Sequence, residues 1–255
     1  MAAQNDKATI ISIAVIASAA ATLLHEGLGH GVTAWLRGDI PTVLTSNHLS
    51  ALRADHWVEA AGTLVNLFVG ASSLLVSKAT DNHHPNLRYF CWILAALNLL
   101  PAAGYFMLSG IFGYGDWQAV ISGLPHQALL RTAMTIFGLL LYTYIVRLLA
   151  IAIKPFCPAP STYNVVGRLP YCAACLFSCA AGALDPLGLK LFLVATVFAA
   201  FGGYSGLLWA DEFLPSKEIE MPLSVERQPA WWIAALVLGV LYIFFIGRGI
   251  TFHHS

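Results

Sequence analysis

Two histidines and a glutamate, His25, Glu26 and His30, fall within six residues at the end of a long apolar run. Neutral imidazoles are common metal ligands, and a carboxylate beside them is a ready proton acceptor. The run that precedes them, Ala8 to Leu24, carries no charged residue. Ionisable side chains are costly at membrane depth and usually face a cavity or a partner, so this cluster points to chemistry. In that reading His25 and His30 ligate zinc and leave a position for water. The metal lowers the pKa of that water, and Glu26 takes its proton and passes it to a leaving group. The plain alternative is that the histidines are polar packing residues between helices and Glu26 reaches toward an interface.

The spacing needs an explanation. Residues four apart on an α-helix lie about 40° apart around its axis, and residues five apart about 140°. A regular helix would therefore point His25 and His30 to different faces. One π-bulge absorbs the extra residue, and Gly27, Gly29 and Gly31 tolerate its altered dihedrals. The segment also resembles the His-Glu-x-x-x-His helix of the zinc dipeptidyl peptidases, so the added residue does not exclude zinc.

The elements that must position these residues follow from composition. Of 255 residues 58% are hydrophobic and 10% charged, too few charges to cover a soluble surface. Thirteen basic and thirteen acidic residues cancel, which argues against a nucleic-acid partner. Spans are expected near 8–36, 57–77, 88–110, 130–153, 166–183, 187–209 and 230–247, giving an all-α polytopic membrane protein of six to seven helices. The first run continues into the motif without a cleavage site, so it reads as a span and not a signal peptide. Asp185-Pro186 separates spans five and six as a tight hairpin or a broken helix. With seven spans, basic residues favour a cytoplasmic N-terminus: Lys7, Lys78, Arg88, Lys154, Arg168, Lys217 and Arg227 share that side.

Two further segments carry a resemblance. Ala61-Gly62-Thr63-Leu64-Val65-Asn66 holds Gly62 and Asn66 one helical turn apart, and Leu97-Asn98-Leu99-Leu100-Pro101 holds Asn98 before a proline. Together with Leu24–Gly38 they resemble, in order and spacing, the site-2 protease family of intramembrane zinc metalloproteases across residues 20–120. The resemblance implies a three-helix catalytic core within residues 1–125, with residues 126–255 adding helices to the same membrane domain. It implies zinc as cofactor, Glu26 as general base, and Asn66 and Asn98 at the substrate cavity. It also implies a substrate that is a membrane protein or peptide cleaved in or near the bilayer. Physically, Asn66 offers donor and acceptor to an extended backbone, and Pro101 with Gly104 should make span three irregular.

The family pattern takes its third ligand from a Leu-Asp-Gly segment, whereas Leu108-Ser109-Gly110 has serine, a poor zinc ligand. Asp116, in Gly113-Tyr114-Gly115-Asp116-Trp117, is the only acidic residue between Asp81 and Asp185. It is the expected replacement, against the alternative of a turn or N-cap aspartate. Glu59 is read as interfacial or as a supporting carboxylate. His48, His56, His83, His84, His126 and the His253-His254 pair are read as solvated or terminal. Cys172 and Cys175 read as small apolar packing residues, since no second pair accompanies them. Two other functions stay open: a non-proteolytic membrane protein, such as a transporter or assembly factor, and a membrane zinc hydrolase acting on a lipid or small amide. A multi-pass protein of the bacterial cytoplasmic membrane is the expected setting. Substrate identity and oligomeric state are not legible at this stage.

Overall fold

A computed structural model describes residues 4–53, 55–216, 219 and 221–252. Lys217, His253 and His254 lie outside the described residues. Among the described residues, seven helices are long and apolar enough to cross a membrane: Lys7–Leu36, His56–Ala79, Pro85–Phe112, Gln127–Phe156, Pro160–Gly182, Leu189–Phe213 and Pro229–Ile246. The chain folds as a multi-pass helical membrane protein, and each expected span corresponds to one of these helices. Their starts follow local chemistry. Asp6 caps the first span by accepting from the Thr9 amide at 2.8 Å, and Asp55 caps the second by accepting from Trp57 at 2.8 Å. Arg37 pairs with that same Asp55, closing the loop between the two spans.

Hydrogen bonds between connections sort the loops onto two sides. The Asp6 amide donates to the Val225 carbonyl, the Asn86 side chain donates to Glu226, and the Leu223 amide donates to Pro155. Those groups lie before span one, at the start of span three, at the end of span four and before span seven. On the opposite side Asn47 bonds Asp185, and the His56 ring lies 3.1 Å from the Ala119 carbonyl. This alternation is what seven consecutive crossings require.

The helices are supplemented by a small antiparallel sheet, which the all-α expectation lacked. Its order is β2 (Leu49–Ala51), β1 (Pro41–Leu44), β3 (Ile250–Thr251). β1 and β2 form a hairpin after span one, and the chain's end adds β3 to its other edge. Short strands of three or four residues leave little alternation for a sequence reading to find.

Span three also departs from expectation. It continues as α-helix from Pro85 through Pro101 to Phe112 and ends on Gly113 in the left-handed conformation, φ 64°. Pro101 removes one backbone donor, yet buried packing on both sides of it keeps the helix intact. Span five ends at Gly182 and span six begins at Leu189, so Asp185-Pro186 lies in a turn between two helices.

The main core fills the space among spans one, three, four, five and six, with Trp92, Tyr89, Tyr163, Ile10 and Leu149 fully buried. Outward side chains such as Phe68, Leu75 and Leu129 are exposed and apolar, as lipid contact requires. Spans two and three pack closely at Gly70, where an added methyl would lie 2.5 Å from Leu99 Cγ. Gly70→Ala is therefore expected to cost about 1–3 kcal/mol through overpacking. Pairing it with Leu99→Ala should recover part of that loss, as unfolding of the single and double variants in detergent would measure.

Candidate metal centre

The helix of span one changes hydrogen-bonding pattern from Leu24 to Val32, where it becomes a π-helix, and returns to α-helix at Thr33. Bonding from i to i+5 puts residues five apart on one face. His25 and His30 consequently meet: their Nε2 atoms are 3.1 Å apart and their rings stand at 80°. A π-helix is intrinsically poor in packing, and here it is held by its neighbour. A methyl at Gly29 would lie 2.6 Å from the Gly62 Cα, so the two backbones touch. A methyl at Gly62 would lie 2.6 Å from His25 Cε1 and 2.7 Å from its Nε2. Gly62, quoted above for its family resemblance, thus has a steric duty: it makes room for both imidazoles.

Asp116 completes the group from the opposite direction. Span three ends at Gly113, the chain turns through Gly115 at φ 92°, and Asp116 opens the short helix Asp116–Val120. Its Oδ2 lies 3.4 Å from His25 Nε2 and 3.7 Å from His30 Nε2. The N-cap position belongs to Gly115, so the capping alternative for Asp116 does not describe its side chain. Burial pushes the Asp116 carboxyl up, but the adjoining His25 and His30 imidazoles more than offset this and leave it below the usual carboxylate range. Ser109 is fully buried below this turn, with its Oγ 3.4 Å from where a Gly115 Cβ would stand.

Tautomers can be read from the partners. His30 Nδ1 lies 2.7 Å from the Val58 carbonyl oxygen and must donate to it, which leaves Nε2 with its lone pair free. His25 stacks on Tyr105 at 5.1 Å, and its Nδ1 is buried without a hydrogen-bond partner. Asp116 Oδ2 is likewise buried, with no well-aligned hydrogen-bond donor. Four tetrahedral ligand atoms about 2.0–2.2 Å from zinc stand roughly 3.3–3.6 Å apart. The three measured separations, 3.1, 3.4 and 3.7 Å, bracket that range. Glu26 is buried beside them with Oε1 3.9 Å from His25 Nε2. His25, Glu26 and His30 alone also form a group able to hold an ion. Asp116 is the closer carboxylate to the two imidazole Nε2 atoms.

These residues line a cavity of about 430 Å³, within the size range of ligand sites. Its walls include Glu59 and Tyr114, the hairpin from Asn47 to Arg53, and Val194 and Ala195 of span six. Asn66 borders a second, smaller cavity of about 70 Å³ together with His25, Glu26 and Tyr105, and its Oδ1 has no partner. Asn98 does not line either space. Its amide folds back to donate to the Leu94 carbonyl at 2.7 Å and its Cβ faces Gly70, while Leu97 and Pro101 border the smaller cavity. A residue one position from a helix's cavity face points about 100° away, enough to bury Asn98 between spans two and three.

Three contributors escaped the sequence reading. Tyr105 stacks on a ligand candidate. Asn47 and His48 form the hairpin tip, which docks on span six: Thr196 donates to Asn47 Oδ1 at 2.5 Å, and Asn47 donates to Asp185 at 3.0 Å. His48 Nδ1 is 3.5 Å from the buried Asp185 carboxylate, so it is not a solvated loop histidine. No spacing rule connects residues 47, 185 and 196, and only the fold brings them together.

Gly62→Ala is expected to weaken binding of any metal ion at this cluster about tenfold or more by displacing both imidazoles, as loss of a supporting contact around a metal does. Zinc titration of the purified variant, with helix content checked by circular dichroism, measures it. Compared with protein-family models, curated proteins and solved structures, the chain gives no match.

Proposed function

We propose that this protein is a membrane-embedded zinc metallopeptidase that hydrolyses peptide bonds in or near the bilayer. The observation that carries the reading is the convergence of His25 Nε2 and His30 Nε2, from one helix, with Asp116 Oδ2 from a distant part of the chain, at ligand–ligand spacing. Two imidazoles and one carboxylate with space beside them match catalytic zinc sites, which keep an open position. Zinc held there would act as a Lewis acid toward a water and a substrate carbonyl.

The chain's own groups supply the rest. Glu26 lies against His25 and faces the larger cavity, so it accepts a proton from the attacking water and returns it to the departing amine. The Val58 carbonyl fixes the His30 ring and its tautomer. Tyr105 holds the plane of His25 by stacking. Asn66, which borders the adjoining space and has an amide oxygen without a hydrogen-bond partner, is suited to receive a donor from substrate backbone. A substrate segment must expose a carbonyl here, which requires local loss of its own helical hydrogen bonds. Peptide is favoured over lipid as substrate because the larger cavity is walled by hairpin backbone and polar side chains. The resemblance to site-2 proteases supports the same class, and a bacterial cytoplasmic membrane is the setting we propose.

Glu26→Gln should keep one zinc per chain while lowering peptide hydrolysis at least about 100-fold, the scale of lost acid–base catalysis. Asp116→Ala should lower zinc content as His25→Ala does. Elemental analysis and cleavage of a membrane-segment peptide in the same preparations test both. Full zinc and activity in Asp116→Ala would remove Asp116 from the ligand set, and lipid consumption with peptides left intact would replace peptidase by lipid hydrolase.

A further inference from the structure

Beside the metal cavity lies a third space of different character. It occupies about 220 Å³ between spans three and six, bounded by Pro101, Gly104 and Leu108 on one side and Ala199, Gly202 and Gly203 on the other. Every residue lining it is apolar apart from the Tyr105 hydroxyl. Tyr105, Leu108 and Ala199 are walls of both this slot and the metal cavity. At its rim Phe112 and Phe198 meet edge to face at 5.4 Å, joining the two spans. The glycines keep it open. A methyl at Gly202 would meet nothing within 4 Å, and one at Gly104 would come no nearer than 3.8 Å to Gly203 Cα.

Resting on the peptidase reading, we infer that this slot is a specificity pocket that receives one large apolar side chain next to the scissile bond. The volume is below the roughly 300 Å³ at which sites for whole small molecules begin, which suits a single side chain. Its position follows from Tyr105: one ring face stacks on His25, so a peptide whose carbonyl reaches His25 has its flanking residue beside that ring. An apolar wall rejects charged and polar residues, because nothing in it would replace their lost hydration. The enzyme would thus choose its cleavage point by a leucine, methionine or phenylalanine and tolerate varied sequence elsewhere.

The test uses the full-length protein in detergent and a peptide series varied at both residues flanking the cleaved bond. One of the two positions should show a preference for Leu or Phe over Gly of about tenfold or more, the scale at which apolar pockets discriminate between side chains. Gly202→Leu fills the slot and should collapse that ratio, with zinc content unchanged as evidence of an intact site. Ile111→Ala, at the exposed rim, should move the preference toward larger side chains, a gain that misfolding cannot produce. Cleavage by the unmodified protein that ignores both flanking side chains, or a ratio that survives Gly202→Leu, overturns the pocket while leaving the peptidase reading standing. Failure to cleave any peptide overturns both. Photoreactive phospholipid that labels Met107 undiminished by saturating peptide would assign the slot to an acyl chain and overturn the inference.

Discussion

The candidate site depends on one steric fact: two imidazoles five residues apart must share a face of a helix. An α-helix cannot do this, and the π-helical stretch Leu24–Val32 can. Such a stretch is wider than an α-helix and needs a neighbour that gives way. The neighbour is span two, whose Gly62 offers no side chain where the two rings stand, and whose backbone touches Gly29. Remove either glycine and the π-helix loses its seat. The Val58 carbonyl that orients His30 lies on the same helix one turn earlier, so contact and orientation come from a single packed interface.

Much of this could be read before any coordinates. The seven spans were legible because runs of some twenty apolar residues leave few alternatives in a chain with so few charges. The need for a π-bulge was legible from helical arithmetic and the three glycines around it. Asp116 stood out because the apolar surroundings made one carboxylate conspicuous. What could not be read was tertiary or too short to show a period. The hairpin strands hold three or four residues, and β3 comes from the far end of the chain. Asn98 was placed at the cavity by analogy with a motif, and the continuous helix through Pro101 turns it to the packed side. Asn47 and His48 lacked any signal, since their partners Asp185 and Thr196 lie about 140 residues on.

That distant contact gives the site its roof. The hairpin tip is tied to the turn between spans five and six, where Asp185 accepts from both Asn47 and the Leu187 amide. The floor is the π-helix itself, against which Leu49 of β2 packs near Gly31. Spans outside the first three therefore contribute more than bulk: they anchor the hairpin and supply one wall of each cavity. A catalytic core limited to the first 125 residues would lack both the anchor and that wall.

Proton and charge counting bears on what the cluster holds. His30 donates from Nδ1 to Val58, so in its neutral form its Nε2 accepts. With both rings neutral and no cation, the proton between them sits on His25 Nε2, and His25 Nδ1 is then a buried acceptor with no donor. Asp116 would add a negative charge whose Oδ2 also lacks a well-aligned partner, with Glu26 close by. Unpaired buried acceptors and carboxylates are costly in a low-dielectric interior. A divalent cation among the three donors accepts the lone pairs of both Nε2 atoms and offsets the charge of Asp116. On the proposed reading the same electrostatics serves the reaction, because the proton that Glu26 takes up must be held only until the amine leaves.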